Sequence, residues 1–194
     1  LTIVRHYGAF AAHVFADFRL HPGACSHKIA PKPQAGSVFV RMDDLDDFDR
    51  AILRELMRDG RMSNADLAER IHLSPSACLR RVRALEEMGV IAGYVMLIDA
   101  DKAGLAGAAF VFVTLEQQGR AMLDAFERDV GRHPEITECH LLAGVADYLL
   151  RVVFRDSRDF ERIHTEILTQ LPGVSRVQST LPLRTVKQTT ALPI

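Results

Sequence analysis

Residues 63 to 89 read SNADLAERIHLSPSACLRRVRALEEMG and contain two helix starts a short turn apart. Ser63 is a natural N-cap, and Asp66 stands three residues on, a capping-box variant with Asp in place of the usual Glu. Ala65, Leu67, Ala68 and Ile71 then supply a narrow apolar stripe, and His72 and Leu73 make the turn. Ser74 is the next N-cap and Pro75 takes the first helical position, where its missing N–H costs nothing. Gly89 suits the left-handed position just past the helix end. Inside the second helix Ala77, Cys78, Val82 and Leu85 lie at helical spacing toward a core. Ser76, Leu79, Arg80 and Arg83 are left on the exposed N-terminal half. Two capped helices, the second rich in arginine, predict a helix-turn-helix whose second helix enters the major groove of double-stranded DNA. The candidate DNA contacts are Ser63, Ser74, Ser76, Leu79, Arg80, Arg81 and Arg83.

A third helix precedes the pair, capped by Asp46, with Phe48, Ile52, Leu53 and Leu56 on one face and an end near Gly60. After Gly89 the run VIAGYVMLID is apolar and β-prone, and predicts a strand or short wing. DADKAGL, residues 99–105, is the expected linker between a helix-turn-helix domain at 42–98 and a second domain at 106–194.

The second domain alternates strand and helix patterns. AAFVFVTL, residues 108–115, is apolar without a break, so both of its faces need cover. Met122, Leu123, Phe126 and Val130 mark a helix closed by Gly131 and Pro134. Strands at 136–143 and 148–154 follow around the turn Gly144-Val145-Ala146-Asp147. Phe160, Ile163, Ile167 and Leu171 mark a second helix that stops at Pro172-Gly173, before a strand at about 174–181. The order β-α-β-β-α-β is a ferredoxin-like split βαβ unit, an antiparallel sheet with helices on one face only. The chain is therefore α+β: a three-helix, winged-helix-like domain followed by a βαββαβ domain. Phe110, Val111, Phe112, Val113, Leu149 and Val153 cannot all point into one helix layer, so the bare face is expected to pack on a second copy as a homodimer.

With 194 residues, 48% apolar, 25% charged and a net charge of −1, the chain has an ordinary globular composition. A nucleic-acid site must then be a local basic patch. Acids outnumber arginines across 42–99 but gather in Asp43 to Asp49, whereas Arg80, Arg81 and Arg83 gather on the second helix. Three cysteines without paired spacing give no disulfide framework and no zinc site, which fits a reducing cytoplasm. No apolar run approaches membrane-spanning length, and no membrane partner is expected. Residues 1–41 lack a sustained period and carry four of the eight histidines and three prolines. They read as an arm or as sequence upstream of a natural start at Met42. An export signal at Tyr7 to Phe15 is interrupted by His13 and followed by Asp17 and Arg19. A metal site from the histidines and Cys25 lacks regular spacing. Cys139 beside His140 suggests a thiol dyad, but strand neighbours point to opposite faces. No acid/base pair, activated nucleophile or phosphate loop supports an enzyme, and the reading carries no cofactor and no metal.

The segments ILRELMRDGRMSNADLAERIHLSPSACLRRVRALEEMGVIAGY, ECHLLAGVADYLLRV and LPGV, in that order from about Asp44 onward, resemble the Lrp/AsnC (feast/famine) transcription regulators. The resemblance implies a DNA-binding dimer, often a tetramer or octamer, whose C-terminal domain senses an amino acid or related metabolite. It implies an effector site between dimers near the Gly-x-x-Asp-Tyr turn, here Gly144, Val145, Asp147 and Tyr148. It further implies that Ser157, Thr180 and Leu181 take part in the ligand response. Val145-Ala146 depart from the family pattern, where an acidic or aromatic residue is common. Asp147, at a turn tip, is expected to hold an ammonium group and to contribute little core area. Two other readings stay open: a constitutive architectural DNA binder, and the regulatory subunit of a metabolic enzyme. Gly144 to Tyr148 also suits a plain tight hairpin.

Overall fold

The computed structural model describes residues 44–194, so the readings of residues 1–41 and of Met42 lie outside the described residues. Three helices come first: α1 (Asp47–Arg58), α2 (Asn64–Arg70) and α3 (Pro75–Glu87). The expected N-caps all form, with Asp46, Ser63 and Ser74 accepting the amides of Asp49, Asp66 and Ala77. The capping box is only half made. Asp66 accepts the Ser63 hydroxyl at 2.7 Å instead of reaching back to a backbone N–H.

Helices α2 and α3 end in the same way. Beyond α3, Gly89 N–H donates to the Glu86 carbonyl and Val90 N–H to the Leu85 carbonyl, with Gly89 at φ 73°. Beyond α2, His72 N–H donates to Glu69 and Leu73 N–H to Ala68, and His72 takes φ 57°. Both are Schellman closures, and the second puts a side chain where glycine is the usual solution. Leu45, Ile52, Leu53, Leu67, Ala68, Ile71, Cys78 and Leu85 form the buried core of this domain.

The strand or wing expected in residues 90–99 is not formed. Val95, Met96, Leu97 and Ile98 are strongly exposed, and no strand among the described residues pairs with them. β-propensity without a ladder partner does not make a strand. Tyr94 tethers the segment: its hydroxyl donates to Glu86 at 3.1 Å, and burial together with that carboxylate pushes its pKa up to about 12.

The second domain is β1 (Gly107–Leu115), α4 (Arg120–Val130), β2 (Ile136–Leu141), β3 (Tyr148–Phe154), α5 (Ser157–Arg162, continued by a π-helical stretch Ile163–Leu168) and β4 (Val174–Thr180). Its antiparallel sheet has the order β2-β3-β1-β4, the ferredoxin-like arrangement. Alternate residues of β1 and β3 face the helices: Ala109, Val111, Val113, Leu115, Tyr148, Leu150, Val152 and Phe154 are buried with Phe126, Ile163 and Leu168. Each large side chain so buried contributes roughly 1.5–3 kcal/mol. Gly173, at φ 72°, follows Pro172 where a Cβ would collide with Met122, and its carbonyl accepts Glu116 N–H.

Cover on both faces of β1 is not supplied by the described residues. Phe110 and Phe112 remain more than one-third exposed on the sheet face away from the helices. The register lines them up with Arg151 and Leu149 of β3 and with Thr180 and Gln178 of β4.

Candidate functional site

The first candidate surface is the outward side of α3. Ser76, Leu79, Arg80 and Arg83 recur at i, i+3, i+4 and i+7, and all four are exposed on one stripe. Cys78 and Leu85 hold the opposite face in the core, where burial pushes the Cys78 thiol pKa up. Among the described residues no hydrogen bond or ion pair occupies the guanidinium of Arg80 or Arg83. Two cations therefore stand free along the outward face of a 13-residue helix whose N-terminal dipole favours phosphate, and the Ser76 hydroxyl beside them is shared with the Ser74 hydroxyl at 3.3 Å.

Arg81, also expected at the DNA, is engaged within the domain, unlike Arg80 and Arg83. Its guanidinium sits 2.8 Å from both Asp46 and Asp49 and lies over the Phe48 ring at 5.4 Å. Its pKa is raised, chiefly by the hydrogen bond to Asp49. The carboxyl of Asp46 is lowered by the Asp49 amide and by Arg81. Arg81 thus braces α3 against the first turn of α1. The hydroxyls of Ser63 and Ser74 are likewise engaged as caps. Asn64 was missed in the sequence. Its Nδ2 donates to the Pro75 carbonyl at 2.8 Å and ties the start of α2 to the start of α3, while its buried Oδ1 has no hydrogen-bond partner among the described residues.

The second candidate surface is the loop between β2 and β3. Gly144 and Val145 stand fully outward. Asp147 does not, and this overturns the expectation of an exposed carboxylate at the turn tip. It is only 8% exposed, with Oδ2 accepting Leu115 N–H at 2.7 Å and Oδ1 accepting Gln118 Nε2 at 2.6 Å. Its own N–H donates to Val113 and its carbonyl accepts Leu142 N–H, so it closes the hairpin and pins it to the end of β1. Tyr148 is buried too. Its ring packs 4.4 Å from Phe126 and its hydroxyl donates to Glu127 at 2.9 Å. Burial, with Glu127, pushes its pKa far above the ordinary tyrosine value. Gln118 and Glu127 are further residues the sequence did not single out.

Ser157, Thr180 and Leu181 are exposed, but Ser157 lies beyond the other end of the sheet and Thr180 is reached midway along β1. Tyr148 pairs with Val113, whereas Thr180 pairs with Phe110, and Ser157 follows Phe154, the partner of Gly107. From Gly107 to Val113 a strand runs about 20 Å. The seven implied effector residues therefore do not form one pocket within a single chain. Cys139 packs against the sheet core while His140 is exposed beside Glu138 at 3.4 Å, which separates the two as strand alternation requires. Among the described residues no His/Cys/Asp/Glu group could hold a metal ion, and no helix is long and apolar enough to cross a membrane.

Comparison with known proteins matches residues 45–92 to a family model described as winged helix-turn-helix DNA-binding. Residues 108–192 match one described as the Lrp/AsnC ligand binding domain. The chain is 40% identical over 151 residues to the leucine-responsive regulatory protein of Escherichia coli, covering 78% of this chain and 92% of that one. The chain belongs to the Lrp/AsnC family. It is 35% identical over 150 residues to the transcriptional regulator AzlB of Bacillus subtilis, covering 77% of this chain and 96% of the relative. Among solved structures, a transcriptional regulator from Neisseria meningitidis in complex with L-Met is 36% identical, with a TM-score of 0.74 over 77% of this chain and 96% of that one. Membership in Lrp/AsnC makes this chain a DNA-binding transcriptional regulator with a ligand-binding domain.

Proposed function

We propose that this regulator binds specific operator sequences as a dimer, and that an amino acid or related small metabolite held between dimers modulates that binding. The observation that carries the DNA half is the exposed stripe Ser76, Leu79, Arg80 and Arg83 on a helix whose back is locked into a core. A symmetric dimer would place two such stripes in successive major grooves about 34 Å apart, with Arg80 or Ser76 at base edges and Arg83 on phosphate. The sheet face around Phe110 and Phe112, more than one-third exposed, favours the dimer, since a second copy would supply the layer that the described residues leave off.

Two findings support the effector half. A relative matched over 96% of its own length was solved in complex with L-Met. The turn Gly144–Tyr148 and Ser157 lie at opposite ends of the sheet, which favours a site completed by another copy, up to a tetramer or octamer. With Asp147 engaged internally, the ligand would meet backbone and Val145 at the turn. The domain division at the linker 99–105, a cytoplasmic place of action and a regulatory in place of a catalytic role belong to the same reading. Salt-dependent binding to the DNA upstream of its own gene tests it: log affinity should fall linearly with log salt. Absence of duplex binding at any salt favours a subunit that regulates an enzyme.

A further inference from the structure

The side chains packed on the helical-domain core come from residues 45–91, with one exception among the described residues: Ile194. Beyond β4, residues 181–194 run without helix or strand, and Leu183 and Val186 project into solvent. The stretch from Arg184 to Thr190 has a single apolar residue and cannot build a core of its own. Yet the far end of the segment folds back onto α1. Leu192 N–H donates to Met57 Sδ at 3.3 Å, Ile194 N–H donates to the Leu192 carbonyl at 3.0 Å, and the Ile194 side chain is half-buried against the helical core.

We infer that residues 181–194 form a strap that couples the ligand-binding domain to the orientation of the DNA-binding domain. One end of the strap continues β4, where Thr180 pairs with Phe110 of β1. The other end sits on α1. That helix carries Asp49 and is capped by Asp46, the two carboxylates that hold Arg81, and it shares a core with Cys78 and Leu85 of α3. A close-packed core passes a shift of α1 on to the recognition helix. The covalent linker cannot fix the orientation alone, because Val95 to Ile98 are exposed and make no ladder. One tether leaves a swivel; a second tether removes it. In a dimer the spacing of the two recognition helices depends on that orientation, so a docked strap pre-organises the pair for its operator. The docking contact is one isoleucine and one N–H···S bond, weak enough for ligand binding near the end of β4 to release it. This last step rests on the sensing role proposed above; the docking does not.

The test uses the full chain, its Ile194→Ser and Ile194→Asp variants, and Ile194→Leu as the conservative control. Amide hydrogen exchange is followed by mass spectrometry with and without a mixed-sequence duplex at low salt. In the Ser and Asp variants, exchange at Leu56 to Arg58 should rise several-fold while exchange in β1 and β3 stays as in the wild type. Duplex affinity should fall by about fivefold or more, and Ile194→Leu should restore both. By reciprocity, duplex binding to the wild type should change exchange in residues 189–194. Unchanged α1 exchange in both variants overturns the strap, whatever happens to DNA binding. Altered exchange with unaltered affinity overturns its coupling to the DNA-binding domain. A wild type that binds no duplex at any salt refutes the proposed function instead, and that is read from the wild-type arm alone.

Discussion

Replacing Asp147 separates a structural carboxylate from a ligand-holding one. In Asp147→Ala two accepted hydrogen bonds vanish, from Leu115 N–H at 2.7 Å and from Gln118 Nε2 at 2.6 Å. Gln118 is exposed and regains water, so its loss costs little. Leu115 is buried and its N–H is left without an acceptor. A hydrogen bond to a charged acceptor contributes about 1.5–3 kcal/mol, and stranding a buried donor costs a similar amount, so the truncation should destabilise the domain by about 2–3 kcal/mol. Asp147→Asn keeps an oxygen for Leu115 N–H and should cost about 1 kcal/mol. Urea unfolding at fixed protein concentration measures both, because association would otherwise shift the midpoint. If Asp147→Asn keeps whatever amino-acid response the wild type shows, the carboxylate charge is not what holds the ligand. An Asp147→Ala variant within about 0.5 kcal/mol of wild type but deaf to amino acids would refute this reasoning and restore Asp147 as an ammonium ligand.

Arg80→Ala or Arg83→Ala should weaken duplex binding by about 1–3 kcal/mol and leave the urea midpoint in place. Arg81→Ala should do the reverse, costing about 1–2 kcal/mol of helical-domain stability through Asp46, Asp49 and Phe48; anisotropy titration beside urea unfolding separates the two outcomes. His72→Gly should raise stability by about 1 kcal/mol, because the residue holds φ 57° at a helix end; a fall in the thermal midpoint would show that the side chain contributes more than its backbone costs. Asp46 and Asp159 are both held below their ordinary values, Asp46 by the Asp49 amide and Arg81, Asp159 by Arg155 and Arg162. Their folded-state pKa lies below the unfolded one, so their contribution is complete above the unfolded value and is lost as pH falls through the folded one. The urea midpoint should therefore hold down to about pH 5 and drop below about pH 4, less steeply in Asp159→Asn; no drop in the wild type would contradict the assignment.

What the sequence discloses most fully is local. Asp46, Ser63 and Ser74 cap through their own side chains, and Pro75 and Gly89 act through φ and the missing N–H, so each works within a few residues of where it is written. The alternation in β1 and β3 and the 3.6-residue stripes of α4 and α5 belong to the same class. Arg81 was readable on a stricter count. It stands three residues after Cys78 and four before Leu85, on the flank of the buried stripe, while Arg80 and Arg83 share the outward one. Asp147 was not readable, because its partners are 32 and 29 residues away and only the closed sheet brings them to it. The run from Val90 to Asp99 has strand composition but no neighbour, and a strand is a pairing, not a propensity. The docking of Ile194 on α1 likewise joins residues from opposite ends of the described chain, where no periodicity points.

The central claim, a DNA-binding regulator answering to a small metabolite, is tested most directly by measuring affinity for DNA fragments recovered with the protein. That affinity is taken without ligand and with each of the twenty amino acids in turn, while sedimentation follows assembly size. At least one amino acid should shift operator affinity by about fivefold or more and shift assembly size with it, because a site shared between copies couples the two. Tight, salt-dependent DNA binding that no amino acid alters, with assembly size equally unmoved, would contradict the account and leave a constitutive DNA binder.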